Sequence, residues 1–83
     1  MLMLALGMQM LVLGIEKVFD VTSFGAVGDG IADDTQSISA AIAAASPGSI
    51  VLFPLNKTFL TSPFNISSGV TLQVDGMIQV GTV

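Results

Sequence analysis

The sequence predicts a mainly β fold with one helix in its first half, and three observations carry this prediction. Short apolar or alternating runs recur between turn residues from residue 50 onwards. A helical stripe precedes them, with Ile38, Ala41, Ile42 and Ala45 at spacing i, i+3, i+4, i+7. Before the helix, the twelve residues Phe24–Thr35 contain three glycines and three aspartates, which is typical of a tight turn feeding a helix.

The predicted strands are short and are separated by turn residues. The run Ile50–Phe53 is fully apolar, so we expect it to be buried on both faces, and Pro54 ends it. The turn at Asp75-Gly76 is compatible with an antiparallel hairpin, which spacing alone does not exclude. The strands expected in chain order are Val18–Phe24, Ile50–Phe53, Lys57–Thr61, Val70–Val74 and Met77–Val80.

The glycine-rich turn and the start of the helix have separate signals. Gly25, Gly28 and Gly30 are placed where an irregular loop requires a positive φ without Cβ strain. Asp33 or Asp34 then caps the helix, and Asp34 in particular is expected to accept from the free N–H groups of the first turn. The helix ends at Ser46-Pro47-Gly48, because proline disfavours helical backbone at the residue before it.

Composition limits the partners of the chain. Its 83 residues allow one small domain, and the chain contains no cysteine. Hydrophobic residues make up 52% of the chain and charged residues 10%, with a mean hydropathy of +0.87, so we expect exposed apolar surface. The net charge is −4, and Lys17 and Lys57 are the two basic residues. Nucleic acid and anionic membrane surfaces need clustered Lys and Arg, so neither is an expected partner.

Residues 1–14 form an apolar segment without charge. They are too few to span a bilayer, which needs about 20 residues, so no transmembrane span is expected. The length fits a signal-peptide core, with Val12 and Gly14 at the small-residue positions of a cleavage site before Ile15, although no Lys or Arg stands at the start. We expect a signal peptide or apolar leader over residues 1–14, with a buried or interfacial helix as the alternative.

The run Phe24–Thr35, with Val18–Val21 before it, resembles the opening of the glycoside hydrolases of family 28, the polygalacturonases. Thr71–Ile78 is similar to the plant version of that family. The resemblance implies a right-handed parallel β-helix, of which residues 15–83 would be a truncated amino-terminal portion: the first coil or coils and a capping helix. It also implies pectin or polygalacturonate as substrate, an inverting hydrolysis, a secreted protein of the extracellular space or cell wall, no cofactor, and a monomer at full length.

No catalytic residue can be carried over from the family. Its Asn-Thr-Asp, Gly-His-Gly and Arg-Ile-Lys segments are absent from the chain, which has no His and no Arg. Two carboxylates are what glycoside hydrolysis requires, but Asp33-Asp34 matches the opening motif, so we interpret the pair as a helix cap. The glycine order does not fit a phosphate-binding loop, and Asp29, Asp33 and Asp34 lack an EF-hand spacing, so we expect neither a cofactor nor a metal site.

Two triplets, Asn56-Lys57-Thr58 and Asn65-Ile66-Ser67, fit the N-glycosylation pattern, so Asn56 and Asn65 are candidate acceptors. Three functions stay open: an inactive front portion of a polygalacturonase-like hydrolase, a non-catalytic structural or carbohydrate-binding β-helix segment, or an incomplete gene product. The chain is expected to hold little more than one coil. We therefore predict incomplete or aggregation-prone folding in isolation, because a solenoid needs about three coils for stability.

Overall fold

The structure, a computed structural model, describes residues 17–81. The expected leader over residues 1–14 lies outside these residues. In chain order they form β1 (Val18–Asp20), a 3-10 helix (Val21–Phe24), β2 (Asp29–Asp33), α1 (Thr35–Ala44), β3 (Ile50–Phe53), β4 (Thr58–Thr61), β5 (Thr71–Val74) and β6 (Met77–Val80).

The strands form two parallel sheets, in the orders β1-β3-β5 and β2-β4-β6. Each pass of the chain places one strand in each sheet, so β1 and β2 form coil 1, β3 and β4 form coil 2, and β5 and β6 form coil 3. Coils 2 and 3 stack in register, with Ile50 opposite Thr71 and Thr58 opposite Met77. This arrangement is a parallel β-helix, and the predicted fold class is confirmed.

One prediction about the coils was wrong. The described residues contain three stacked coils rather than little more than one, because β2 lies within the glycine-rich run that was expected to be an irregular turn. The hairpin that spacing left open at Asp75-Gly76 does not form: this turn joins β5 and β6 of different sheets, as the implied β-helix requires. The expectation of incomplete or aggregation-prone folding was based on that count of little more than one coil, and three stacked coils reach the number that a solenoid needs for stability, so this basis no longer holds.

The first strand is shorter than its alternating pattern indicated. β1 ends at Asp20, whose Oδ1 accepts hydrogen bonds from the backbone N–H of Thr22 at 2.8 Å and from its hydroxyl at 2.7 Å. These local bonds compete with strand pairing and turn the next four residues into the 3-10 helix. Gly25 then ends that helix in the left-handed conformation, with a φ of 102°.

The helix α1 covers the coil 1 side of the core. It packs on the 3-10 helix and on β1, and its buried side chains are Ile38, Ala41 and Ile42, with Ala45 buried just after its last turn. All four members of the predicted stripe therefore face the core. Ten residues are too few for a stable isolated helix, so this packing supplies the stability of α1.

Coil 2 provides the centre of the core. Val51, Phe53 and Phe59 are fully buried, and the rings of Phe53 and Phe59 meet edge to face with centroids 5.6 Å apart. Ile50 and Leu52 are only half-buried, so the expectation that β3 is buried on both faces was wrong. One face of each sheet points into the coil and the other points outward.

Candidate functional site: the glycine–aspartate turn

The glycines of the turn have the backbone conformation that only glycine adopts without strain. Gly25, Gly28 and Gly30 have φ values of 102°, 71° and 75°. Space also requires glycine at position 28, since a Cβ there would lie 2.9 Å from the Phe59 ring and 2.9 Å from the Lys57 Cβ. The turn of coil 1 thus lies directly against coil 2.

Asp34 is the buried residue of the motif, with only 2% of its surface exposed. It stands at the N-cap position of α1, but its side chain makes no capping hydrogen bond, so the predicted capping role of its carboxylate was wrong. The carboxylate instead turns back to the glycine-rich run and accepts from Val27 N–H at 2.9 Å and Gly28 N–H at 3.0 Å. These charge-assisted bonds hold the turn against the start of the helix.

Asp33, the residue before the N-cap, hydrogen-bonds to the start of the helix. Its Oδ1 accepts from the backbone N–H of Thr35, the first residue of α1, at 3.0 Å and also from the Thr35 hydroxyl. Both bonds favour the ionised form and hold the pKa of the exposed Asp33 carboxyl below its ordinary value of 3.8. The Thr35 hydroxyl in turn accepts from Ser62 N–H at 2.8 Å, which ties the helix start to the residue after β4.

Asp29 organises an irregularity in β2. Asp29 lies opposite Thr58 and Asp33 opposite Leu60, so β2 has more residues than β4 over the same length. The extra residues bulge outward, and Asp29 Oδ1 accepts from the N–H groups of Ile31 and Ala32, both at 2.9 Å. The backbone bonds from Ala32 and Ile31 hold the pKa of the Asp29 carboxyl below 3.8.

The carboxylates of Asp29, Asp33 and Asp34 therefore all accept hydrogen bonds from backbone N–H groups. Asp29 and Asp33 accept from N–H groups two or three residues away, and Asp34 accepts from N–H groups six and seven residues away. Over residues 17–81 no three His, Cys, Asp or Glu side chains come together in a group that could hold a metal ion. The arrangement can fix a tight turn and start a helix, but it does not present two free carboxylates to a glycosidic bond.

The two candidate glycosylation residues lie outside this turn, in the connections before and after β4. Asn56 is exposed in the turn between β3 and β4 and has a φ of 65°. Asn65 is exposed between β4 and β5 and lies outside every strand of the described chain.

Sequence reasoning missed one tightly packed position. A Cβ at Gly76 would lie 2.3 Å from the carbonyl oxygen of Pro54 and 2.6 Å from that of Lys57. The turn of coil 3 therefore stacks directly on the turn of coil 2, and a side chain at Gly76 would separate them. The Asp75-Gly76 signal located this turn but gave no indication of what packs against it.

Residues 17–81 contain no helix of the length and apolarity that crossing a bilayer requires.

The chain is similar to one solved structure and to one protein family. A solved structure of a family 28 exopolygalacturonase from Yersinia enterocolitica superposes with a TM-score of 0.73 at 27% sequence identity, over 77% of this chain and 12% of that one. The chain thus spans about an eighth of that relative. No curated protein gives a significant match. Residues 18–81 match the family described as rhamnogalacturonase A/epimerase, pectate lyase-like, and the chain belongs to this family.

Proposed function

We propose that this chain is the helix-capped first part of a secreted, polygalacturonase-like glycoside hydrolase acting on pectin or polygalacturonate in the cell wall. The observation that carries the proposal is the stack of three coils, closed by α1 on the coil 1 side, which superposes on 12% of a family 28 exopolygalacturonase. In this proposal the 83 residues start the β-helix and themselves catalyse nothing.

The free side of coil 3 supports a role as the start of a longer stack. Val74 is in register with the fully buried Phe53, and Val80 with the buried Thr61. Val74 and Val80 nevertheless keep 44% and 57% of their surface exposed. Inward-facing apolar side chains of this kind are what a further coil would cover.

The proposal that the chain itself catalyses nothing is based on the placement of its carboxyl groups and on its charge. An inverting glycosidase needs two carboxyl groups about 6.5–9.5 Å apart that flank the bond to be cleaved. Asp34 is buried, and the exposed Asp29 and Asp33 are engaged by their own backbone. A galacturonan is also a polyanion, and the two lysines of the chain are too few to bind it.

Secretion is supported by the composition of the chain. Residues 1–14 have the apolarity and length of a signal-peptide core, and Asn56 and Asn65 lie in N-glycosylation triplets. Both asparagines are exposed.

The first experiment is an assay for new reducing ends. The purified chain, incubated with polygalacturonate, is expected to release none, whereas a family 28 exopolygalacturonase does so under the same conditions. Release by the chain would contradict the inactive assignment. Retention on immobilised polygalacturonate without hydrolysis would favour a carbohydrate-binding segment instead.

The second experiment tests the role in starting the stack. Residues 18–81 replace the matching segment of the Yersinia exopolygalacturonase, and the chimera is expected to be soluble and to hydrolyse polygalacturonate. The matched control carries Gly76→Ala, which would force the turns of coils 2 and 3 apart and lower the yield of active enzyme. A chimera that is insoluble, or soluble but inactive, would contradict the proposal.

A further inference from the structure

We propose that Asn65 is an N-glycosylation site that stays open to modification in the folded chain, whereas Asn56 is open only before β4 pairs with its neighbours. The two triplets differ in where the fold places their third residue. This inference does not depend on the assignment to a hydrolase.

The triplet at Asn65 lies entirely between strands. Asn65, Ile66 and Ser67 are all exposed in the segment that joins β4 to β5. Phe64, just before them, is half-buried, and its ring stacks on Phe53 with centroids 6.5 Å apart and an interplanar angle of 25°. The ring anchors the segment while the next three side chains face solvent, so an enzyme can bind the triplet without breaking a strand pair.

The triplet at Asn56 runs into the centre of a sheet. Asn56 itself is exposed, but Thr58, which supplies the required hydroxyl, is the first residue of β4. Thr58 lies between Asp29 and Met77 on the two neighbouring strands, and its N–H donates to the Gly28 carbonyl at 3.1 Å. Binding of this triplet in an enzyme groove therefore requires β4 to separate from both neighbours.

The reaction transfers an oligosaccharide from a lipid pyrophosphate carrier to the asparagine. A bond forms between the side-chain amide nitrogen and C1 of the first sugar, and the bond between C1 and the pyrophosphate oxygen breaks. The amide nitrogen loses one proton, and the lipid pyrophosphate leaves with the bonding electron pair. The product is a bulky, solvated group, which an exposed segment between strands accommodates.

The test uses the folded 83-residue chain, a purified oligosaccharyltransferase and a lipid-linked oligosaccharide donor. Peptides covering residues 54–60 and 63–69 serve as unpaired references, and mass spectrometry maps the modified asparagine. Asn65 is expected to react in the chain at about the rate of its peptide. Asn56 is expected to react at least about tenfold more slowly in the chain than in its peptide, because local opening of a paired central strand is costly.

Matched variants separate the two sites. Ser67→Ala should abolish modification at Asn65, and Ser67→Thr should preserve it, because the triplet needs only a hydroxyl at this exposed position. Thr58→Ala should remove any residual modification at Asn56. If Asn65 stayed unmodified in both the chain and its peptide, the proposal that Asn65 is an N-glycosylation site would be wrong. Equal rates at Asn56 in chain and peptide would overturn the protection by β4.

Discussion

Coils 2 and 3 have strands of the same length in the same register, yet their inward-facing side chains are buried to very different extents. Phe53 and Phe59 of coil 2 are fully buried, whereas Val74 of coil 3 is 44% exposed. Within residues 17–81, coil 2 is covered on both sides, by coil 1 and by coil 3, whereas coil 3 has coil 2 as its one neighbouring coil. Burial in this fold is therefore decided by the stacking neighbour, and the alternating pattern of a strand does not reveal it.

At the coil 1 side of the stack, a helix covers the inward-facing side chains instead of a further coil. Ile38, Ala41 and Ile42 of α1 are buried against the first coil. A helix satisfies its own backbone groups, so it can close a stack without offering a new edge for pairing.

The largest effect is expected in coil 2. Phe59→Ala should lower the free energy of unfolding by about 3–5 kcal/mol, because it removes a fully buried ring and leaves a cavity beside Phe53. Met77→Ala in coil 3 is the control, since this side chain is exposed, and its cost should stay within about 0.5 kcal/mol. Denaturant unfolding measures both, and a loss below 1 kcal/mol for Phe59→Ala would contradict a closed core around coil 2.

The next effect concerns the buried carboxylate on the covered side. Asp34→Ala should cost about 3 kcal/mol, because Val27 N–H and Gly28 N–H both lose their carboxylate acceptor and the bond from Gly28 is buried. Asp34→Asn keeps one acceptor oxygen and should cost less than Asp34→Ala. Urea unfolding compares them with Asp75→Ala, which alters an exposed carboxylate of coil 3. Equal losses at positions 34 and 75 would show that the turn does not depend on Asp34.

A matched valine pair compares the two coils directly. Val51→Ala in coil 2 should cost about 2 kcal/mol, because the side chain is fully buried. Val74→Ala in coil 3 removes the same atoms from a half-covered site and should cost less than about 1 kcal/mol. Equal losses in unfolding titrations would mean that coil 3 is as well covered as coil 2.

The smallest effect is the dependence on pH. Hydrogen bonds from Thr35 to Asp33, and from Ala32 and Ile31 to Asp29, hold both carboxyl pKa values below 3.8 in the folded chain. The resulting stabilisation is present above the unfolded-state pKa and is lost as the pH falls through the folded-state value. Stability should therefore decline below about pH 4.

The variant Asp29→Asn keeps an acceptor oxygen for Ile31 and Ala32 but does not titrate. Its stability relative to the original chain should be lower at pH 6, and the gap should narrow at pH 3. Urea midpoints at the two pH values measure the gap. A gap that stays constant would show that the charge of Asp29 contributes nothing.

Much of the fold could be predicted from local signals. Sequence patterns predicted one helix and two strands with nearly the observed bounds: the stripe from Ile38 to Ala45, the run Ile50–Phe53 and the run Met77–Val80. Each pattern has the period of the element that it predicts. The parallel pairing came from the resemblance of Phe24–Thr35 to a family. A turn such as Asp75-Gly76 is equally compatible with a hairpin, and only long-range stacking distinguishes the two.

What could not be predicted depends on contacts between coils. β2 was missed because its bulge, organised by Asp29, disrupts the alternating pattern. Asp34 stands where a capping residue stands, and its orientation towards Val27 and Gly28 is decided by burial beneath the glycine turn. The close approach at Gly76 depends on carbonyl groups about twenty residues away in sequence, which no local pattern records.

The most direct measurement is residue-resolved hydrogen exchange on the chain, at a concentration where sedimentation shows a monomer. Among the described strands, coil 2 has a neighbouring coil on both sides and coil 3 on one, so the amides of β5 and β6 should exchange at least about tenfold faster than those of β3 and β4. Equal protection across the four strands would mean that coil 3 is not an open side, and would contradict the proposal that this chain begins a longer stack.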